Sequence, residues 1–451
     1  MNVEYFFLKF FFKELERNKV KYAVLRNYEK LPYSAGGSDI DLLILPENKS
    51  LIMRKILSSI SSAGGTVIGS CIWPNFWKLS ILIKNRKNTS PNWVGQEIDI
   101  NWGLYYKSVV SLIDTSLFEE WHIFHNGIKV VDPDLASVIG VFKEVIHNGI
   151  LPERYLKKAK KIDDEKWEKI SKWLAPIGVK MVYEIKDIIE KKPSHLEVKL
   201  KAIKFKLSLS IKSFLKSPLK YIFNRARHLL SKIFRFLNPP GIVISILGTD
   251  GVGKSTLISS LRPVLSSATH RAFYVKHLRP GLLPPLARFR GVKQSDVPST
   301  NPHGSKPSGF LLSIFRASYL LFDYILGYWL IVRPKISKKP AVFIFDRYIY
   351  DMILDPIRFR IGIPGKILKW VTYLAPKPDL IICLDASPET IFLRKKELSK
   401  KEIERQISAL REFAKKENRA VLISAEDSKE EVCNRVLEII CKFCLNRIKL
   451  K

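Results

Sequence analysis

An apolar run, Ile242 to Leu247, leads directly into Gly248-Thr249-Asp250-Gly251-Val252-Gly253-Lys254-Ser255-Thr256, and Thr256-Leu257-Ile258 then opens a helical pattern. No other stretch restricts the fold of this chain as tightly. Glycines at these spacings let the backbone wrap closely enough for successive N–H groups to point at phosphate oxygens. A helix starting where the loop ends presents its positive end to the same place. Strand, glycine-rich loop and helix in that order are what a phosphate cradle requires, so a nucleoside triphosphate is the expected ligand. Gly248, Asp250, Gly251, Val252, Gly253 and Thr256 would shape the cradle, Lys254 would reach the β- and γ-phosphates of ATP, and Ser255 would ligate Mg²⁺.

The rest of the C-terminal half has the rhythm of a parallel α/β sheet. Short apolar runs recur at Ile242 to Leu247, Ala272 to Val275, Ala341 to Phe345, Leu380 to Leu384 and Ala420 to Ile423, with helical segments between them. Ligands in such sheets bind at the carboxyl ends of the strands. Asp346-Arg347-Tyr348 ends the third run, and Asp385-Ala386-Ser387-Pro388-Glu389 ends the fourth. The expected class is α/β: a P-loop NTPase parallel sheet flanked by helices over residues 241–451, preceded by an α+β domain over residues 1–190.

That N-terminal domain has its own carboxylates. Gly36-Gly37-Ser38-Asp39-Ile40-Asp41-Leu42 puts Asp39 and Asp41 on one face of a strand, because side chains alternate with period two. Asp99, in Glu97-Ile98-Asp99-Ile100, supplies a third from a neighbouring strand. Asp39, Asp41 and Asp99 together form a candidate metal site. His122, His125 and His147 share no metal-ligand spacing and are expected to be surface or core histidines.

The chain has 451 residues and a formal net charge of +33, long enough for two cores and basic enough to favour anionic partners. Charge does not choose among nucleotides, nucleic acid, phosphorylated glycans and an acidic membrane leaflet. From Lys191 to Arg235 there are about thirteen Lys or Arg against one acid, Glu197, before Pro239-Pro240-Gly241 stops the pattern. Residues 191–240 therefore read as a basic amphipathic helical connector. It is either a solvated linker packed along one side or an interfacial helix. In the latter case Phe214, Tyr221, Phe223, Leu229 and Phe234 enter lipid while Lys212, Lys216, Lys220, Arg225 and Arg227 meet anionic headgroups. Nucleic acid ranks last, because no recognisable module is present.

Five scattered cysteines make no disulfide framework, so the cytoplasm is the expected compartment, at most peripheral to the inner face of the membrane. Cys441 and Cys444 read as the buried face of a helix. Tyr5 to Phe12 reads as an amphipathic first helix rather than a signal peptide. Ser318 to Val332 is short for a membrane span and carries Asp323, which predicts a buried helix. Arg290 to Gly309, rich in Pro, Ser, Gly and Asn, reads as a loop.

Over roughly residues 241–450 the motifs taken together resemble thymidylate kinase. They are Gly-x-Asp-Gly-x-Gly-Lys-Ser-Thr, Asp-Arg-Tyr after a buried strand, Pro-Asp-Leu-Ile-Ile-x-Leu-Asp-x-Ser-Pro-Glu, and Arg394-Lys395-Lys396-Glu397. The resemblance implies that Arg347 grips the acceptor phosphate, that Asp346 sits near the metal and the transferring phosphoryl group, and that Asp250 contacts the acceptor sugar. It places Arg394, Lys395, Lys396 and Arg405 on or near a closing lid, and it implies a homodimer. Leu278-Arg279-Pro280-Gly281 stands where the family has Arg-Glu-Pro-Gly, which leaves Arg279 as a displaced acceptor contact. The insert Pro284 to Gly309 and the segment Asp355-Pro356-Ile357-Arg358-Phe359-Arg360 more closely resemble thymidylate-kinase-like proteins encoded with surface-glycan functions. Arg358 and Arg360 would grip an anionic acceptor or, alternatively, pair with Asp351 or Asp355.

Tyr22 to Tyr28 followed by Ser38-Asp39-Ile40-Asp41 is similar to nucleotidyltransferase-like families, over roughly residues 1–190. Those enzymes carry Gly-Ser about ten residues before the acids; here Arg26-Asn27 stands in that place and Gly37-Ser38 abuts Asp39. The expectation is therefore ATP- and Mg²⁺-dependent phosphoryl transfer to a nucleoside monophosphate, dTMP by resemblance, alongside a nucleotidyltransferase-like module. Two alternatives stand beside it: a kinase of a sugar or lipid-linked glycan intermediate at the membrane surface, and a nucleotide-switched binding protein.

Overall fold

The computed structural model describes residues 3–45, 47–85, 93–105, 110–284 and 307–449. The loop expected at Arg290 to Gly309 lies outside the described residues as far as position 306. The chain forms two compact units: Met1–Thr66, Cys71–Leu79 and Gln96–Phe234 make the first, and Val67–Ser70, Ser80–Gly95 and Arg235–Lys451 the second.

Seven strands precede residue 132: β1 (Tyr22–Val24), β2 (Ile40–Ile44), β3 (Gly65–Trp73), β4 (Phe76–Lys84), β5 (Trp93–Trp102), β6 (His122–His125) and β7 (Ile128–Val131). Their order is β3-β4-β5-β2-β1-β7-β6. β2 runs antiparallel to β1 and parallel to β5, and the register sets Asp41 directly beside Asp99. Asp39 lies one residue ahead of β2. Helices complete the unit's core. The helix Pro133–Asn148 is delimited in sequence: Asp132 caps it by accepting from the Asp134 and Leu135 N–H groups, Pro133 opens it, and Gly149 ends it in a left-handed conformation.

Residues 191–240, a connector in the sequence, are almost wholly helical. Ser194 and Glu197 form a capping box that starts the helix His195–Lys216, and a second helix spans Pro218–Leu237. Val198, Ala202, Phe205 and Leu209 of the first helix are buried in the core of the first unit, with Phe205 beside Phe142.

The second unit carries β8 (Ile242–Leu247), β9 (Phe273–His277), β10 (Val342–Asp346), β11 (Leu380–Asp385) and β12 (Ala420–Ser424). All are parallel, in the order β12-β11-β8-β10-β9. The five apolar runs of the sequence are these strands. β8, first in the chain, lies at the centre. The chain then builds one flank before the other, which opens a crevice at the carboxyl end of β8 where the direction of winding reverses.

The stretch Ser318 to Val332 departs from expectation. Helix Phe310–Gly327 buries Ser313, Ala317, Asp323, Tyr324 and Gly327 and turns Leu311, Phe315, Phe322 and Leu326 outward. The reason is local. The fully buried Asp323 carboxylate accepts the Gly281 and Leu283 N–H groups and pairs with Arg279, so the helix must present its polar residue inward. By length and composition alone, the helical run Phe310–Lys338 is apolar enough to cross a membrane. Cys441 and Cys444 are buried on the helix Lys429–Lys449.

Candidate active site

The loop that leaves β8 depends on glycine at Gly248 and Gly251, where φ is +151° and +90°. A Cβ on Gly248 would lie 2.8 Å from Val252 Cγ1 and 2.9 Å from the Leu384 carbonyl oxygen. Gly253, at φ +107°, begins the helix Lys254–Ala268 and faces open space. Free space at a helix N-terminus is the room a phosphate needs.

Around the loop is a cavity of about 1070 Å³, lined by Asp250 to Leu257 together with His277, Asp346, Arg347, Arg358, Arg394, Lys395 and other residues. Lys254 is buried, and its Nζ donates to the Gly248 and Thr249 carbonyls at 2.8 and 2.9 Å. Burial and the neighbouring Arg347 guanidinium push its ammonium down to about 8, against the pull of Asp250, Asp346 and Asp351. Asp346 Oδ2 lies 3.5 Å from His277 Nδ1, while Oδ1 is buried with no hydrogen bond among the described residues. Burial raises the Asp346 carboxyl, but His277, Lys254 and Arg347 together outweigh it and hold the group below its ordinary value. An orphaned carboxylate oxygen and a hydroxyl at the helix start, lining one cavity, are hard-oxygen donors, so Asp346 and Ser255 fit Mg²⁺ in kind.

Arg347 has a left-handed backbone, φ +73°, rare for a residue with a side chain. Its guanidinium is buried between Asp351, at 2.5 Å, and Asp250. Arg358 reaches the other oxygen of Asp250 and lies 3.3 Å from Asp355. The acid pairing expected as one alternative for Arg358 is present, and the same side chain lines the cavity. Arg394 also lines the cavity and donates to the Ala425 carbonyl at 3.2 Å.

Two expected acceptor contacts are elsewhere. Arg279 is drawn to Asp323 at 3.4 Å and is not part of the cavity lining. Arg360 is exposed, with φ +54°, and also lines no part of it. Arg405 pairs with Glu402 and donates to the Leu354 carbonyl. His277 carries no sequence signal, because the apolar run stops at Val275 while the strand continues through His277. Extending β9 by two residues sets His277 directly opposite Asp346 in the parallel register.

In the first unit, oxygens of Asp39, Asp41 and Asp99 lie within 4.8 Å of one another. Two cations of the chain are already there. Arg26 bonds Asp41 and lies 3.8 Å from Asp39, while Lys78 pairs with Asp99 at 2.7 Å and Glu97 at 2.5 Å. The residues therefore fit a divalent ion only in exchange for Arg26 or Lys78. Burial, aided by Asp41 and Glu97, outweighs Lys78 and pushes the Asp99 carboxyl up to about 7. Its folded value exceeds its unfolded one, so the folded state binds the extra proton and stability falls as pH rises from about 4 to 7. Asp99→Asn is expected to flatten the stability–pH curve across that window in urea titrations; an unchanged slope would assign it to another group.

About a third of the chain is similar in sequence to thymidylate kinases. Thymidylate kinase of Xanthomonas campestris pv. campestris is 30% identical over 159 residues, 34% of this chain and 60% of that protein. A probable thymidylate kinase of Sulfolobus acidocaldarius is 31% identical over 115 residues, 24% of this chain and 58% of that protein. The chain thus spans about three fifths of the length of these curated relatives. Among solved structures, thymidylate kinase from Ehrlichia chaffeensis has a TM-score of 0.32 at 18% identity, covering 45% of this chain and all of that one. The Candida albicans enzyme has a TM-score of 0.31 at 20% identity, covering 44% of this chain and 91% of that one. No family model matches the chain.

Proposed function

We propose that the second unit is an ATP- and Mg²⁺-dependent phosphotransferase acting on a nucleoside monophosphate, with dTMP the acceptor its sequence relatives suggest. The observation that carries this is the convergence of Lys254, Ser255, Asp346 and Arg347 in one cavity at the carboxyl ends of β8 and β10. Phosphoryl transfer breaks the bond from the γ-phosphorus to the leaving ADP oxygen as a bond to an acceptor oxygen forms. It needs positioning and charge neutralisation more than a strong base. The loop N–H groups and Lys254 would hold the triphosphate, while Arg347 and Arg358 would hold the acceptor's anion. Arg394 and Lys395 would shield the transfer from water. Ser255 and Asp346 would hold Mg²⁺, which would supply charge neutralisation to the phosphates during transfer.

The test is ATP consumption by the purified chain against dTMP, other nucleoside monophosphates, sugars and sugar phosphates, with Lys254→Ala as the blank. Lys254-dependent turnover on dTMP is expected; turnover on no phosphorylated acceptor would overturn the proposal. A sugar or lipid-linked acceptor is favoured by one feature, the segment Asp355 to Arg360 that brings Arg358 into the cavity. Turnover on sugars with silence on every nucleotide would select it.

For the first unit we propose nucleotidyltransferase-like chemistry, supported by the convergence of Asp39, Asp41 and Asp99. Pyrophosphate release from nucleoside triphosphates, lost in Asp41→Asn and kept in Lys254→Ala, is the expected result. Release that Asp41→Asn leaves intact would remove the cluster from any such role.

A further inference from the structure

The helix Pro218–Leu237 contradicts the usual economy of a protein surface. Of its twenty residues only Arg235 is buried, while its large apolar side chains are exposed. At 3.6 residues per turn, Leu219, Ile222, Phe223, Leu230, Ile233 and Phe234 share one face. They are exposed by between 50% and 83%. Arg225 and Lys232 border that face on one side and Lys220 and Arg227 on the other. The helix has no acidic residue.

The preceding helix, His195–Lys216, repeats the arrangement with one difference. Its inner face is spent on the first unit's core, yet a second apolar stripe remains on the outside. Leu200, Ile203, Leu207, Ile211 and Leu215 line an open groove of about 690 Å³ together with Lys204 and Lys212. Phe214 of this helix meets Tyr221 of the next at a centroid distance of 6.0 Å.

We propose that these two helices form a docking surface for an anionic lipid bilayer, with the apolar faces in the acyl boundary and the bordering cations on the headgroups. Long cationic side chains on both margins of an apolar face are placed to extend toward headgroups while their stems remain in the apolar layer. Charge selects this occupant over a second copy of the chain. Two such helices face to face would oppose cations with cations, whereas an anionic leaflet compensates those of Pro218–Leu237 at a several-fold gain in affinity per residue; on the preceding helix Lys204 already pairs with Glu184 and Lys212 donates to the Pro176 carbonyl. The surface is independent of the phosphotransferase proposal.

The experiment is sedimentation of the full chain with phosphatidylcholine vesicles containing about 30% phosphatidylglycerol, and with pure phosphatidylcholine vesicles, at low and high NaCl. Two variants accompany it: the charge reversal Arg225→Glu/Arg227→Glu/Lys232→Glu, and the apolar replacement Phe223→Ser/Phe234→Ser. All five positions are exposed, and unchanged circular dichroism melts verify the fold. Expected are binding to the anionic vesicles that weakens with salt, a loss of about 100-fold or more in the charge reversal, and a clear loss in the apolar variant. Absence of binding to the anionic vesicles would overturn the proposal, as would equal binding to both vesicle types that ignores the charge reversal. A concentration-dependent dimer in sedimentation velocity that Phe223→Ser/Phe234→Ser abolishes, without lipid binding, would assign the surface to a second copy instead.

Discussion

Replacing Lys254 by alanine is expected to lower ATP-dependent phosphoryl transfer by about 100- to 1000-fold, the usual cost of removing one preorganised charge donor from a transition state. The side chain is buried at the head of the loop and ends on two carbonyls of that loop, so its cation is fixed where the proposed triphosphate would carry its charge. Its lowered proton affinity adds a signature that alanine alone cannot give. With the ammonium at about 8 in the unliganded protein, protonated Lys254 is lost as pH rises through 8 rather than near 10.5. kcat/KM for ATP should therefore decline above pH 8. In Lys254→Arg, where the charge persists at every accessible pH, the alkaline decline should vanish even if the plateau is lower. A wild-type profile flat to pH 10, or a decline shared by Lys254→Arg, would assign the limb to another group.

Asp323→Ala is expected to be the most damaging single change away from the cavity. The residue is fully buried, and its carboxylate accepts the Leu283 N–H at 2.6 Å and the Gly281 N–H at 3.1 Å while pairing with Arg279 at 3.4 Å. Removing it leaves donors of three residues without that acceptor, including a guanidinium that is itself mostly buried. A cost of about 3 kcal/mol follows. For a unit of this size that is roughly 6–12 °C in Tm, read by calorimetry of the intact chain. Asp323→Asn keeps one acceptor oxygen but turns an amide N–H toward the donors that the second oxygen accepted, so it should recover only part of the loss. Equal losses in the two variants would mean that a single acceptor oxygen does nothing to hold the turn after β9.

Arg279, which missed the cavity, and Arg358, which reached it, show what sequence patterns carry. Lys254, Ser255, Asp346 and Arg347 were legible because the first pair closes the glycine loop after β8 and the second pair stands at the end of β10, and strand ends are marked by a change from apolar to polar residues. Arg279 also follows a strand, yet its direction is set by an acid 44 positions later in a helix. Arg358 is drawn into the cavity by Asp250, 108 residues earlier. Partners at such separations leave no periodic trace.

Helix orientation was lost for a related reason. Phe310–Gly327 is apolar on most of its circumference, so its pattern could not say which side faces in, and Asp323 decided it. His195–Lys216 is apolar on two faces, so the pattern could not announce that one of them belongs to the first unit's core. In the first unit, the period-two placement of Asp41 and the Asp99 neighbour was legible. That Arg26 and Lys78 already neutralise them was not, because Lys78 comes from β4 and no motif ties it to either acid.

Asp250 faces Arg347 and Arg358 from inside the loop proposed to cradle ATP, and its carboxylate lies 3.6 Å from Lys254 Nζ. An acceptor entering this cleft does not find bare cations. It must substitute for a carboxylate that is already there, so arrival is an exchange of one anion for another. Singly charged ions, poor competitors for a guanidinium held this way, gain little purchase, whereas a dianionic phosphate can complete the trade. The displaced carboxylate stays on the loop beside the lysine proposed to hold ATP, so under the proposed function the occupancies of the two ligands would be thermodynamically linked through one side chain.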